Sequence, residues 1–203
     1  MFIGKYNKSL IISYVGVIFS VVGMYYAVIQ NFRAGICCLI LAGVCDMFDG
    51  KFARSLKRDK DDELFGIQLD SLADTVDFVC FPIVFGLALG FNHWYNVIGY
   101  ALLAMGGIQR LCHFNVLVIN KKDKGPVKFY SGLPVTSTSI TYPIVWLISN
   151  YVSMGVYNIC YTVLTYATAI LFVLNVKVPK IRGIAVPIIT VLAAIGLVIL
   201  YLI

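Results

Sequence analysis

The stretch that decides the fold is Asp46–Asp77, DMFDGKFARSLKRDKDDELFGIQLDSLADTVD, a charged interruption in an otherwise apolar chain. Asp46 and Asp49 stand three residues apart, and Asp46, Gly50 and Arg54 recur in steps of four. On a helix all four therefore share one face. Asp70, Asp74 and Asp77 step by four and then three, again along one helical face. A carboxylate in hydrocarbon costs about 2.5–3.5 kcal/mol even on the mildest insertion scale. Lys51 and Arg54 are too few to neutralise five of them. If the two faces oppose each other, the carboxylates converge. Like charges that close are tolerable with a hard divalent cation between them, and oxygen ligands suit Mg²⁺ or Mn²⁺. The competing reading is a set of hydrated acids at helix ends, without metal.

Outward from this stretch, the 203-residue chain is 60% hydrophobic, too apolar for an ordinary soluble domain. No Asp, Glu, Lys or Arg occurs in Ile11–Gln30, Phe78–Gln109, Phe129–Val176 or Gly183–Ile203. A membrane helix needs roughly 20 apolar residues. The two longest runs divide at the polar patches Phe91–Asn96 and Tyr151–Asn158. The pattern predicts an all-α integral membrane protein, a polytopic helical bundle of about seven spans. They lie at 10–30, 33–56, 66–90, 95–119, 133–152, 157–175 and 183–203. The first run follows Lys5 and Lys8 but lacks a small-residue cleavage site, which predicts a retained helix.

Charge is distributed by side. With the N-terminus in the cytoplasm and the spans alternating, Lys5, Lys8, Lys51, Arg54, Lys57, Arg58 and Lys60 fall on or near the cytoplasmic face. Lys121, Lys122, Lys124, Lys128, Lys177, Lys180 and Arg182 do so too. Arg33 alone falls outside, and Arg110 lies within a span. This obeys the positive-inside rule and makes anionic lipid headgroups, not nucleic acid, the use of the net charge of +6. The six cysteines lie in apolar segments without a CxxC pair, so they read as buried bystanders. No repeat or second domain is visible. Residues 1–203 read as one domain, with cytoplasmic loops at 55–65, 120–130 and 176–182.

Asp46, Asp49, Gly50, Ala53 and Arg54, followed by Gly66, Asp70 and Asp74, resemble the signature DxxDGxxAR…GxxxDxxxD of the CDP-alcohol phosphotransferases. The eleven residues between Arg54 and Gly66 exceed the usual gap, and the extra ones are charged. Leu69–Asp74 (LDSLAD), Gln109–Asn115 (QRLCHFN) and Phe129–Pro134 (FYSGLP) are most similar to family members that use serine. His113 stands where an arginine is common, and Asp77 where a serine is common. The matches cover the first two-thirds of the chain.

The resemblance implies that Asp46, Asp49, Asp70 and Asp74 hold Mg²⁺ or Mn²⁺ in a two-metal site, with Asp74 also the catalytic base. It implies CDP-lipid contacts from Gly50 and Arg54, with Asn7 and Ser9 as further candidates. The expected substrates are CDP-diacylglycerol or CDP-archaeol and L-serine, at the cytoplasmic side of the cell membrane among membrane lipids. A homodimer is expected from the family. For the serine pocket, Arg110 is the expected carboxylate partner, with Asn115 nearby, and Asp77 is either a plain interfacial aspartate or the partner of the ammonium. Arg110 pairing structurally with Asp77 is the alternative. Two rival functions stand beside this one. The first is the same chemistry with glycerol 3-phosphate or an inositol phosphate as acceptor. The second is a divalent-cation transporter, against which all five acids sit near one membrane face.

Overall fold

The computed structural model describes residues 4, 7–56, 59–120, 129–175, 177–179 and 196. The chain is a polytopic α-helical membrane bundle. A 3-10 turn, Lys8–Leu10, leads into α1 (Ile11–Val28), and α2 spans Phe32–Ser55. The reversal between them is tight because Gln30 takes a left-handed conformation (φ 63°) and the Asn31 side chain accepts from the Ala34 N–H. α1 and α2 pack along their lengths through the small residues Gly16, Ser20, Gly23 and Ala27 of α1. A methyl group at Gly23 would lie 2.7 Å from the Cys38 Cβ and 3.1 Å from the Gly35 carbonyl. Small residues let apolar helices approach this closely in the absence of a hydrophobic driving force between them.

α3 (Lys60–Asp74) corrects the predicted loop at 55–65, and Gly66 does not open the helix. Asp59 caps it, accepting the Asp62 N–H at 2.6 Å, while the Asp62 carboxylate faces the Asp59 N–H at 3.5 Å. Asp61, Asp62 and Glu63 fill the first turn, where the helix dipole favours negative charge. The charged run is therefore a helix start. The chain continues without a break through a π-helical segment, Thr75–Cys80, into α4 (Phe81–Ala88).

α5 (Trp94–Ile119) lies along α7 (Met154–Val173), with the short α6 (Thr138–Ile148) beside them. A 3-10 turn, Val135–Ser137, precedes α6. Phe129–Ser131 (β1) pairs antiparallel with Lys177–Pro179 (β2). Gly132 (φ +80°) turns the chain so that the Leu133 N–H donates to Leu171 O at the end of α7. A methyl at Gly132 would meet the Phe172 carbonyl at 2.9 Å. The FYSGLP motif thus seats the entry to α6 on the end of α7.

Among the described residues, four helical runs are long and apolar enough to cross a membrane: Lys8–Val28, Lys60–Ala88, Trp94–Ile119 and Met154–Val173. α2 has the length, with 24 residues, but carries the signature's charges. The span expected at 133–152 is a shorter helical stretch, Val135–Ile148. The span expected at 183–203 lies outside the described residues, as do Lys121, Lys122 and Lys124 and most of the loops at 120–130 and 176–182. The core is aromatic: Phe78, Phe81, Phe85, Tyr142, Tyr157, Tyr161 and Phe172 are buried between α4, α5, α6 and α7.

Candidate metal centre

The helical spacing of the acids has its expected consequence. α2 brings Asp46 and Asp49, and α3 brings Asp70 and Asp74, to one place. One carboxylate oxygen from each of Asp46, Asp49 and Asp70 lies within 4.8 Å of the others. Asp74 joins through Asp46, with the two carboxyl groups in hydrogen-bonding reach, and Asp49 and Asp70 stand in the same relation. Asp49 and Asp74 are buried, and Asp46 and Asp70 half-buried. Two like charges 4 Å apart repel by about 4 kcal/mol near a protein surface. A cluster of four therefore needs cations. The donors are all carboxylate oxygens with no imidazole among them, a set that fits a hard divalent ion such as Mg²⁺ or Mn²⁺.

One contributor carried no sequence signal. The Ser13 hydroxyl of α1 donates to Asp49 Oδ2 at 3.0 Å, which orients that carboxylate from outside the pair of acidic helices. Its only trace in the sequence is position, because Ser13, Gly16, Ser20, Gly23 and Ala27 follow one another in helical steps of three or four. Ser71 and Gln68 were missed as well. Asn115 of α5 accepts from the Ser71 hydroxyl at 2.8 Å and donates to Gln68 at 3.4 Å, tying α5 to the back of the aspartate helix.

The other candidates are placed less uniformly. Gly50 is half-buried one turn beyond Asp46 on α2, and Arg54 follows one turn later, its side chain outside the described residues. Asn7 caps the first 3-10 turn through its Oδ1 and donates to Asp62 at 3.2 Å, so it clasps the start of α3. Ser9 is buried beside it, and its hydroxyl has no partner among the described residues. Lys51 points outward, over the Phe48 ring. Asn115 and Asp77 have different neighbours. Asn115 meets Gln68 and Ser71, whereas Asp77 sits against Gly16 and Cys45 on the α1–α2 side. Arg110 is half-buried on α5.

A model of the CDP-alcohol phosphatidyltransferases matches residues 7–203, the signature and nearly all of the chain included. The chain belongs to that family. Within it, the chain is similar to the CDP-diacylglycerol–serine O-phosphatidyltransferase of Saccharomyces cerevisiae, at 39% identity over 103 residues. The matched stretch is 49% of this chain and 36% of the yeast enzyme, so the chain spans well under half of that relative's length. Dependence on a divalent metal is general in the family, and the aspartate cluster is where this member would hold it.

Proposed function

We propose that the protein transfers the phosphatidyl or archaetidyl group of a CDP-activated lipid to the hydroxyl of L-serine and releases CMP. The observation that carries this reading is the convergence of Asp46, Asp49, Asp70 and Asp74, from two helices, in a chain belonging to this family. Similarity to the yeast serine enzyme supports serine as the acceptor.

In this reading Asp46, Asp49, Asp70 and Asp74 hold two divalent ions, Mg²⁺ or Mn²⁺, which supply charge neutralisation at the pyrophosphate. Asp74 takes the proton from the serine hydroxyl. The serine oxygen forms its bond to the lipid-bearing phosphorus, the bond from that phosphorus to the CMP oxygen breaks, and CMP carries away the electron pair. Ser13 keeps Asp49 turned toward the cluster. Gly50 leaves room on α2 for the substrate, and Arg54 offers a planar fork for phosphate oxygens. Asn7 and Ser9 edge the same end of the bundle. Arg110 is proposed for the serine carboxylate, with Asn115 holding α5 in register behind it. The site opens to the cytoplasm, which lets the lipid tails stay in the bilayer while serine arrives from water. A homodimer completes the proposal.

The test offers purified protein, CDP-diacylglycerol and Mn²⁺ a panel of acceptors: L-serine, glycerol 3-phosphate and an inositol phosphate. CMP release with L-serine, accompanied by phosphatidylserine, supports the reading. Release only with a phosphorylated acceptor would replace serine. No release with any acceptor, under conditions where metal binds, would end the transferase account.

A further inference from the structure

We propose that Asp77, with Ser20 of α1, seats the ammonium group of the acceptor, which makes Asp77 the residue that selects an amino alcohol. The proposal rests on the transferase reading above and deepens it.

Asp77 is 4% exposed and its Oδ1 has no hydrogen-bond partner among the described residues. Ser20 is 0% exposed and lies in hydrogen-bonding reach of the Asp77 carboxylate, with no other partner for its hydroxyl among the described residues. One turn before Ser20, α1 carries Gly16. A methyl group there would stand 3.1 Å from Asp77 Oδ2 and 3.5 Å from the Cys45 Cβ, so a larger residue would crowd the carboxylate. Here α1, α2 and the π segment enclose an acid with one unpartnered oxygen and a hydroxyl that reaches only that acid. A buried carboxylate left this way is costly unless a cation meets it.

The chemistry of the place selects the cation. Divalent ions take six or more oxygen ligands, and this seat offers one carboxylate and one hydroxyl. Asp49 and Asp46 add negative potential at Asp77. A primary ammonium brings one positive charge and three donors, matching Asp77 Oδ1 and Ser20 Oγ. Asp77 lies three residues beyond Asp74, a rise of about 4–5 Å along a helix. A short amino alcohol bridges that separation with its hydroxyl at Asp74 and its nitrogen at Asp77. The seat lies on the α1–α2 side of the third span.

The experiment compares L-serine, ethanolamine and glycerate, the last keeping hydroxyl and carboxylate but lacking the amine, with the full chain, CDP-diacylglycerol and Mn²⁺. Asp77→Asn is expected to raise the serine KM by about 10–100-fold, the loss of a charged hydrogen bond. It should leave the CDP-diacylglycerol KM unchanged and narrow the preference for serine over glycerate by the same factor. Ser20→Ala should move serine KM the same way by about threefold. A purely structural role would lower stability and kcat for every acceptor without altering that preference. The proposal is overturned by a serine KM within about twofold of wild type, or by a loss shared equally with glycerate. A wild type that prefers an amine-free acceptor overturns it too. If the wild type ignores serine but uses ethanolamine, serine falls as the substrate and the same KM comparison on ethanolamine decides Asp77. Should Asp77→Asn fail to fold, Ser20→Ala decides alone, and unchanged selectivity there overturns the proposal.

Discussion

Between α4, α5, α6 and α7, buried hydroxyl and amide groups tie one segment to the next, while the Tyr157 hydroxyl and Asn96 Oδ1 find no partner among the described residues. Tyr161 donates to Pro82 O at 2.5 Å, Tyr100 to Phe91 O at 3.0 Å and Tyr166 to Tyr95 O at 2.9 Å. Asn96 bridges to Asn158 and Thr162 across the α5–α7 contact. Between α2 and α3, by contrast, acids end on acids: Asp46 on Asp74, and Asp49 on Asp70. The first region draws its hydrogen-bond partners from within the chain and holds helices together. The second gathers like charges, an arrangement suited to cations, and is the proposed seat of the chemistry. Buried polarity can thus serve cohesion or reactivity, and whether the partners are supplied from within the chain distinguishes the two.

Substitutions should separate the regions. The largest effect is expected from Asp74→Asn, which removes the proposed metal ligand and the proposed base together. CMP release should fall by at least about 1,000-fold, with the variant still folded by circular dichroism. A variant that keeps full turnover would break the comparison at its centre. Next comes Asp49→Asn, for which the Mn²⁺ concentration giving half-maximal activity should rise by about 100-fold or more. Ser13→Ala, acting through Asp49, should raise it by about tenfold. Metal itself should act on stability: Mn²⁺ at about 100 times its Kd should stabilise the fold by about 2.7 kcal/mol, read as a higher Tm. That gain should vanish in Asp46→Asn, whose repulsion is already relieved. The smallest effect belongs to the other region. Tyr161→Phe leaves Pro82 O without its donor and should cost about 1 kcal/mol of stability. Its metal dependence should match the wild type, and a changed Mn²⁺ requirement would show that the two regions are not separate.

Much of this contrast was legible in the residues. The steps of three and four among Asp46, Asp49, Asp70 and Asp74 gave two acidic faces before any coordinates, because helical period and charge repulsion are local arguments. Six of the expected spans correspond to helices for the same reason. What escaped was whatever depends on a partner far along the chain. Ser13 is one hydroxyl in an apolar helix until it meets Asp49, 36 residues away. Asn115 was expected at substrate, yet its amide is engaged by Ser71 and Gln68, which composition cannot reveal. The Lys60–Phe65 segment was expected as loop because it is charged. The Asp59–Asp62 cap shows that the same charges suit a helix start.

The π segment at Thr75–Cys80 sets the timing between the two regions. A wider turn of this kind takes up an extra residue and so shifts the angular phase of everything after it. Asp70 and Asp74 precede the shift and look toward α2. Phe81 and Phe85 follow it and stack in the aromatic core, while Val79 within it seats against Gly107 of α5. The third span therefore works as a geared shaft with two settings. Asp77 sits in the gear, where the acidic end and the aromatic end meet. If Asp77 reads the acceptor as proposed, exchanging it changes the acceptor without re-aiming the carboxylates upstream or unseating the rings downstream.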